Sequence, residues 1–314
     1  MIFLTVGDVH LSDTTPASRL DNYTDATFED LALVRAQALE QKATAVFITG
    51  DIFDRKSPIK NSHAIVARAI ALFSSFPCPV YSIVGNHDIV NNRMDSLSRQ
   101  PLNVLFESGA LKRLKKEVFD KVTVHGVDFD EGNDYSTLSP EKDENSTATI
   151  AVCHVLATPD GGDMYGEPIF SYKKLANSDV DVYVFGHFHN DQGIHTIGKK
   201  KFVNLGALSR GSLTQEEIHR QVKIGRIEWD GKSLECSEIP LAVKSSKEIF
   251  DIEKKQEMEK KEKEIESFVA SLNKTDLFQD ISSLEETIKA MRLETGVKNR
   301  LVGYLNNKGA EINV

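Results

Sequence analysis

Apolar and polar positions fall into short, punctuated blocks along this chain. Apolar, β-branched runs at residues 2–6, 45–49, 80–84, 149–153 and 181–185 read as buried strands. Two helical periodicities separate the first three. One covers 28–41, with Leu31, Val34, Ala38 and Leu39 on one face, and the other 62–76, with Ile65, Ala69, Leu72, Phe73 and Phe76. Residues 11–25 read as a polar loop. Strands that alternate with helices through residue 88 predict βαβ units and parallel pairing. A shorter helix is expected at 101–108, stopping at Gly109, then a strand at 122–127 and an acidic, peripheral loop at 128–145. Beyond residue 149 strands dominate, at 193–197, 202–205, 223–229 and 233–239, with Asp230-Gly231 as a hairpin turn. This pattern predicts an α/β protein with a mixed sheet or two packed sheets flanked by helices.

Composition changes near Pro240. Residues 246–266 are a dense Lys/Glu mixture with helical content, and Ile265, Phe268, Val269 and Leu272 then share one helical face. Ser282 to Glu285 forms a capping-box pattern. The expected organisation is a catalytic domain over 1–240 and a small, mainly helical segment over 241–314, either a partner-binding or capping arm or simply a solvated helix.

With 314 residues, 40% hydrophobic and 27% charged, the chain has the make-up of a soluble globular protein. It holds no apolar run near the roughly 18 residues a membrane span needs, and its start lacks the basic flank of a signal peptide. Three unpatterned cysteines, Cys78, Cys153 and Cys236, argue against a disulfide framework or a cysteine zinc site and for a cytoplasmic protein. The net charge of −9 argues against coating nucleic acid by bulk electrostatics, though not against a local basic groove.

The chemistry sits at the strand ends. The runs lead into Gly7-Asp8-Val9-His10, Gly50-Asp51-Ile52-Phe53-Asp54, Gly85-Asn86-His87-Asp88, His154 and Gly186-His187-Phe188-His189. Polar groups at the end of a buried strand are costly unless something satisfies them. Taken singly, each is explained by a helix cap beside a satisfied core histidine, but five in one chain make that a chain of coincidences. In an open α/β sheet the ligand site lies outside the carboxyl ends of the strands, where all five could converge. Asp8, His10, Asp51, Asn86, His154, His187 and His189 give seven candidate metal ligands. One catalytic ion takes three or four, so seven imply two divalent ions sharing a carboxylate. Such a pair, about 4 Å apart, generates hydroxide near neutral pH and suits in-line displacement at phosphorus. Nitrogen and oxygen donors without thiolates favour Mn(II), Fe or Zn, with Mg also admissible. His87, beside a ligand, suits general acid work.

These motifs, in this order, resemble the five-part signature of calcineurin-like metallophosphoesterases over residues 1 to about 210. The resemblance implies a two-sheet α/β/β/α sandwich. It also implies that Asp8, His10, Asp51 and His189 hold one metal and Asp51, Asn86, His154 and His187 the other. His87 would then contact the phosphate or protonate the leaving oxygen, oriented by Asp88. Within that superfamily, the stretch from Gly50 to Arg55 followed by Pro58, and the stretch from Asn204 to Ser212, are similar to SbcD-type DNA exonucleases. That likeness implies Mn(II)-dependent cleavage of DNA phosphodiesters in repair, recombination or replication. It further implies a homodimer and a C-terminal segment docked on an SMC-like ATPase of the SbcC type. Candidate DNA contacts are Arg55, Lys56, Arg210 and the turn at Lys199, Lys200 and Lys201, the last being otherwise an ordinary polar hairpin end. The basic tract from Lys112 to Lys116 is either a solvated patch or a phosphate contact. Against the nuclease stand a phosphoesterase acting on a small phosphodiester, nucleotide or phosphoprotein, and a non-catalytic scaffold, which would have no need of a complete ligand set.

Overall fold

A computed structural model of the chain describes residues 1–54, 61–164, 167–253, 257 and 260. Strand β1 (Ile2–Val6) leads to helix α1 (Tyr23–Glu40), β2 (Ala45–Ile48), α2 (His63–Ser74) and β3 (Val80–Ser82). Two 3-10 turns, Asn86–Asp88 and Met94–Arg99, precede α3 (Pro101–Glu107). Then come β4 (Lys112–Arg113), β5 (Lys116–Phe119), β6 (Val122–Val127), β7 (Ala148–His154), β8 (Ala157–Thr158), β9 (Gly162–Met164), β10 (Glu167–Ser171) and α4 (Tyr172–Leu175). The unit closes with β11 (Val182–Gly186), β12 (Asp191–Ile197), β13 (Lys200–Leu205), α5 (Gln215–His219), β14 (Lys223–Trp229), β15 (Leu234–Pro240) and α6 (Ser246–Ile249).

Two six-stranded sheets form, in the orders β15-β14-β1-β2-β3-β4 and β12-β13-β11-β7-β6-β5. In the first, β1, β2, β3 and β4 are parallel; in the second, β13, β11, β7 and β6 are. In the first sheet, α1, α2 and α3 form the crossovers that return the chain to the same edge, as parallel pairing requires. Strand alternation sorts the side chains. Phe3, Phe47 and Tyr81 point into the space between the sheets, where they meet Val122, Ile150, Val152, Val184 and Val203. Leu4, Val46 and Ile48 point the other way, onto Leu31, Val34, Ile65 and Phe73 of α1 and α2. On the far side, Cys153, Tyr183, Phe185 and Phe202 pack on Tyr172 and Leu175 of α4. The expected α/β/β/α sandwich is therefore the observed architecture. The compact unit spans Met1–Phe250, ten residues past the expected boundary at 240. Of the expected helical segment 241–314, residues 261–314 lie outside the described residues.

Some local expectations change. Helix α1 starts at Tyr23 rather than 28, because Asn22 caps it by accepting from the Asp25 N–H at 3.1 Å. The Tyr23 hydroxyl, buried, anchors that first turn on the His10 carbonyl at 3.0 Å. The loop at 128–145 is not wholly peripheral: Phe129 is buried, and its N–H donates to the Val84 carbonyl at 2.8 Å. The small sheet β8-β10-β9 had no counterpart in the sequence pattern.

Phe47 is fully buried between the sheets, with ring centroids 5.6 Å from Phe3, 5.6 Å from Tyr81 and 6.0 Å from Phe119. Phe47→Ala should cost about 3–5 kcal/mol of stability, read as a lowered urea midpoint; a loss under 1 kcal/mol would mean the inter-sheet layer is not tightly packed.

Candidate metal centre

Each motif glycine places two backbones, or a backbone and a carboxylate, closer than any side chain allows. A Cβ on Gly85 would lie 2.0 Å from Asp51 Oδ1, and one on Gly186 would lie 2.5 Å from Asp8 Oδ1. The residues after them carry the donors. His10, Asp51 and His187 have φ of 52°, 49° and 73°, in the left-handed region that side chains rarely adopt. Three strained residues at one spot are a mark of a site whose geometry is over-determined by its surroundings.

All seven expected donors come together at the carboxyl ends of β1, β2, β3, β7 and β11. Asp8, His10, Asp51 and His189 offer ligand atoms within 4.8 Å of one another, and so do Asp51, His154 and His187. Asn86 joins the second group through Oδ1, 3.1 Å from His154 Nε2. Asp51 belongs to both. Its Oδ2 lies 3.8 Å from His10 Nε2 and 3.4 Å from His154 Nε2. This oxygen is buried with no hydrogen-bond partner.

The donor pairs point to cations. The His154 Nδ1–H donates to the Thr49 carbonyl at 2.6 Å. In the neutral ring, Nε2 is then a lone pair facing the Asn86 carbonyl oxygen, and two acceptors cannot satisfy each other. His10 Nε2 and His189 Nε2 face each other at 3.0 Å, a pair that either one ring's N–H or a shared cation satisfies. A proton or a metal ion resolves such pairs. Burial opposes the charged form of His154, but Asp51 and Asp8 outweigh it and hold its proton up to about 10. Burial would raise Asp8, yet His154 and the bond to His189 hold it down at about 2; Asp51 is lowered in the same sense, chiefly by His154. Burial takes His10 down to about 4 and lowers His187. The residues present fit two divalent ions with Asp51 shared.

His87 lies beside this centre. Its ring Nδ1 is 2.7 Å from the Asp54 carbonyl, and its backbone N–H donates to Asp51 Oδ1 at 2.7 Å. The expected orienting role of Asp88 is corrected. Its carboxylate accepts from the N–H groups of Gly85, Ile52 and Phe53 at 2.9, 3.1 and 3.4 Å. It braces the two loops, while the Asp54 carbonyl orients His87. Burial and the charge of Asp51 hold Asp88 well above the usual carboxylate range.

Among the described residues, the candidate DNA contacts are not gathered at the centre. Arg210 is buried and donates to Ser246 Oγ at 3.2 Å and to the Lys244 carbonyl, tying down the segment after β15. Lys199, Lys200 and Lys201 sit where β13 begins, at the end of the sheet opposite Gly186 and His187. A six-residue strand puts them about 20 Å away. Lys200 donates to the Val180 carbonyl at 2.7 Å and Lys201 pairs with Glu235. In the 112–116 tract, Arg113 pairs with Asp128 and Lys116 with Asp143, at 2.6 and 2.7 Å. Arg55 and Lys56 lie outside the described residues.

Several site residues escaped the sequence reading. Thr49 Oγ1 donates to Asp8 Oδ1 at 2.8 Å. Phe129 packs its ring 5.5 Å from His187 and 6.1 Å from His154. Glu167 on β10 lies 2.9 Å from His187 Nε2. Thr49 ends a recognised strand and was findable; nothing local marks the other two.

Fold and donor set together define a dinuclear metallophosphoesterase. Residues 1–191 match the family model for calcineurin-like phosphoesterases, and the chain belongs to that family. Among solved structures it is similar to a dimetal phosphatase from Danio rerio, with 12% identity and TM-score 0.51 over 78% of this chain and 99% of that one. It is also similar to the calcineurin-like phosphoesterase YfkN from Bacillus subtilis, with 11% identity and TM-score 0.48 over 77% and 90%. An archaeal phosphodiesterase matches with 13% identity and TM-score 0.40 over 77% and 100%. At these identities the likeness is one of fold. No curated protein sequence matches the chain. No helix among the described residues is long and apolar enough to cross a membrane.

Because Asp51 is common to both donor groups, Asp51→Asn should reduce bound metal from two ions per chain toward none, whereas Asn86→Ala should remove one. Metal analysis after dialysis against dilute Mn(II) reads this; equal losses in both variants would separate Asp51 from the bridging position.

Proposed function

We propose that this phosphoesterase is a phosphodiesterase that cleaves DNA, a nuclease of the SbcD type. The observation that carries the diester reading is a pair of cavities flanking the metal centre. One, about 400 Å³, opens beside His10, His87 and His189 and is lined further by Tyr23, Ser209 and Thr214. The other, about 250 Å³, opens beside His187 and is walled by Phe129, Val155 and Phe170. A phosphate held between them has room for an ester arm on each side; a monoester needs only one. The stretches from Gly50 to Arg55 and from Asn204 to Ser212 support DNA as the diester.

Asp8, His10, Asp51 and His189 would hold one divalent ion, and Asp51, Asn86, His154 and His187 the other. Such a pair neutralises the phosphate oxygens and lowers the pKa of water at the site. The chain supplies the rest. Asp51 Oδ1 holds the His87 backbone, and the Nδ1–H of His87 donates to the Asp54 carbonyl, so that the imidazolium form would present its Nε2–H to the departing oxygen. Asp88 keeps the Asp51 and Asn86 loops in register.

A second reading, hydrolysis of a small phosphodiester or nucleotide, is favoured by charge. None of the described residues lining either cavity is Lys or Arg, and Asp54, Glu217, Asp130, Glu131 and Glu167 are among them. In the nuclease reading, DNA affinity comes from elsewhere: an SMC-like ATPase docked on the 241–314 segment, a homodimer, or Arg55 and Lys56.

The test is cleavage of end-labelled single- and double-stranded DNA, beside a chromogenic diester, with Mn(II), with chelator, and with Asn86→Ala. Metal-dependent DNA cleavage lost in the variant is expected. Diester hydrolysis with intact DNA, even with added ATPase partner, would shift the assignment to the small substrate. His87→Ala should keep both ions and lose roughly 10²–10⁴ of the rate; near-normal turnover would remove it from proton transfer.

A further inference from the structure

The three-stranded sheet β8-β10-β9 delivers one carboxylate to the metal centre, and none of the family motifs contains it. Glu167, the first residue of β10, places Oε2 2.9 Å from His187 Nε2. Its side chain is 47% exposed and that of His187 14%. As an ion pair alone, a contact so open to water is worth little. Its consequence lies in the tautomer.

We infer that Glu167 is a positioning residue for the second metal ion: its carboxylate accepts a hydrogen bond from the Nε2–H of His187, so that the ring presents its Nδ1 lone pair to the cation. This rests on the two-ion reading of the site. A neutral imidazole carries one N–H. Donating it from Nε2 to Glu167 fixes the other nitrogen as the ligand atom and makes it more basic, the arrangement by which outer carboxylates tune metal-bound histidines. The rest of the ring's placement is already fixed. The His187 N–H donates to Asp8 Oδ2 at 2.8 Å, and its backbone sits at φ 73°. The edge of Phe129 closes one side, 5.5 Å away between centroids. Rotation and tautomer are what remain free, and Glu167 sets both. His154, in the same ligand group, has its tautomer set by the Thr49 carbonyl. The two histidines of this group are thus oriented by different means, one by main chain within the sandwich and one by a side chain from the added sheet.

The test is a titration of metal-free protein with Mn(II), free ion being followed by electron paramagnetic resonance. The wild type should bind two ions. Glu167→Ala should weaken one of them ten- to hundred-fold and leave the other unchanged. Glu167→Gln should recover most of that loss, because its amide oxygen still accepts a hydrogen bond from the Nε2–H. Wild-type affinities in Glu167→Ala would overturn the inference. So would a Gln variant as weak as Ala, which would make the effect one of charge, or equal weakening of both ions. A lowered unfolding midpoint in metal-free Glu167→Ala would assign the residue to the fold instead. If the wild type itself binds fewer than two ions, the two-ion reading fails first and the role of Glu167 with it.

Discussion

The carboxylate of Asp51 is fully buried, and one of its oxygens has no hydrogen bond. Removing a charge from water costs several kcal/mol even after relaxation, and it is tolerated only when opposite charge is brought close. That opposite charge comes from the other sheet. His154 ends β7 and reaches across to Asp51 at 3.4 Å. Asp8, from β1, is met in the same way by the His187 N–H and by His189, both following β11. The metal centre is therefore a seam between two sheets, and the first sheet could not hold its acidic half without the histidines of the second.

A seam this tight requires backbone without side chains. Gly85 and Gly186 let the carboxylates of Asp51 and Asp8 approach within distances a Cβ would occupy. The positive φ of His10, Asp51 and His187 adds strain of order 1–3 kcal/mol each. The inter-sheet layer around Phe47 offsets that strain, since each large buried aromatic contributes several kcal/mol. Packing below and strain above are thus coupled: the layer that fixes the spacing of the sheets also fixes how closely the donors meet.

This division explains what could be read from the sequence. The strand ends were legible because each motif is local, a short apolar run followed by a donor, with a glycine between them at every strand end but that of His154. All seven candidate ligands were named that way. Helix α2 followed from its apolar periodicity, and α3 from the stop signal at Gly109. Partners supplied at long range were not legible. Glu167 sits on a short strand beyond Gly161 and Gly162, where no periodicity marks an element. Phe129 hides in an acidic stretch whose composition resembles a surface loop. Asp88 stands next to His87 in sequence, yet its carboxylate reaches backbone N–H groups of the Asp51 loop, 36 residues from it. The position of the lysines at 199–201 was not legible for a related reason. A basic turn shows in the sequence, but which end of the sheet it occupies depends on strand direction.

The acidic surroundings of the centre separate catalysis from affinity. A bare site holding Asp8, Asp51, Asp54 and Glu167 repels a phosphodiester, and exposed cations elsewhere are screened over about 10 Å of salt solution. Two divalent ions reverse the local sign, so the reacting phosphate is drawn in only by the loaded centre. Flanking phosphates of a polymer gain nothing from the described walls of either cavity. For a small diester that arrangement is sufficient. For DNA, whose non-specific binding is mainly a count of cationic contacts to phosphate, attraction has to come from surfaces beyond the seam. With DNA as substrate, catalytic competence and DNA retention would reside on different surfaces, and the chemistry of the centre is the same under either substrate.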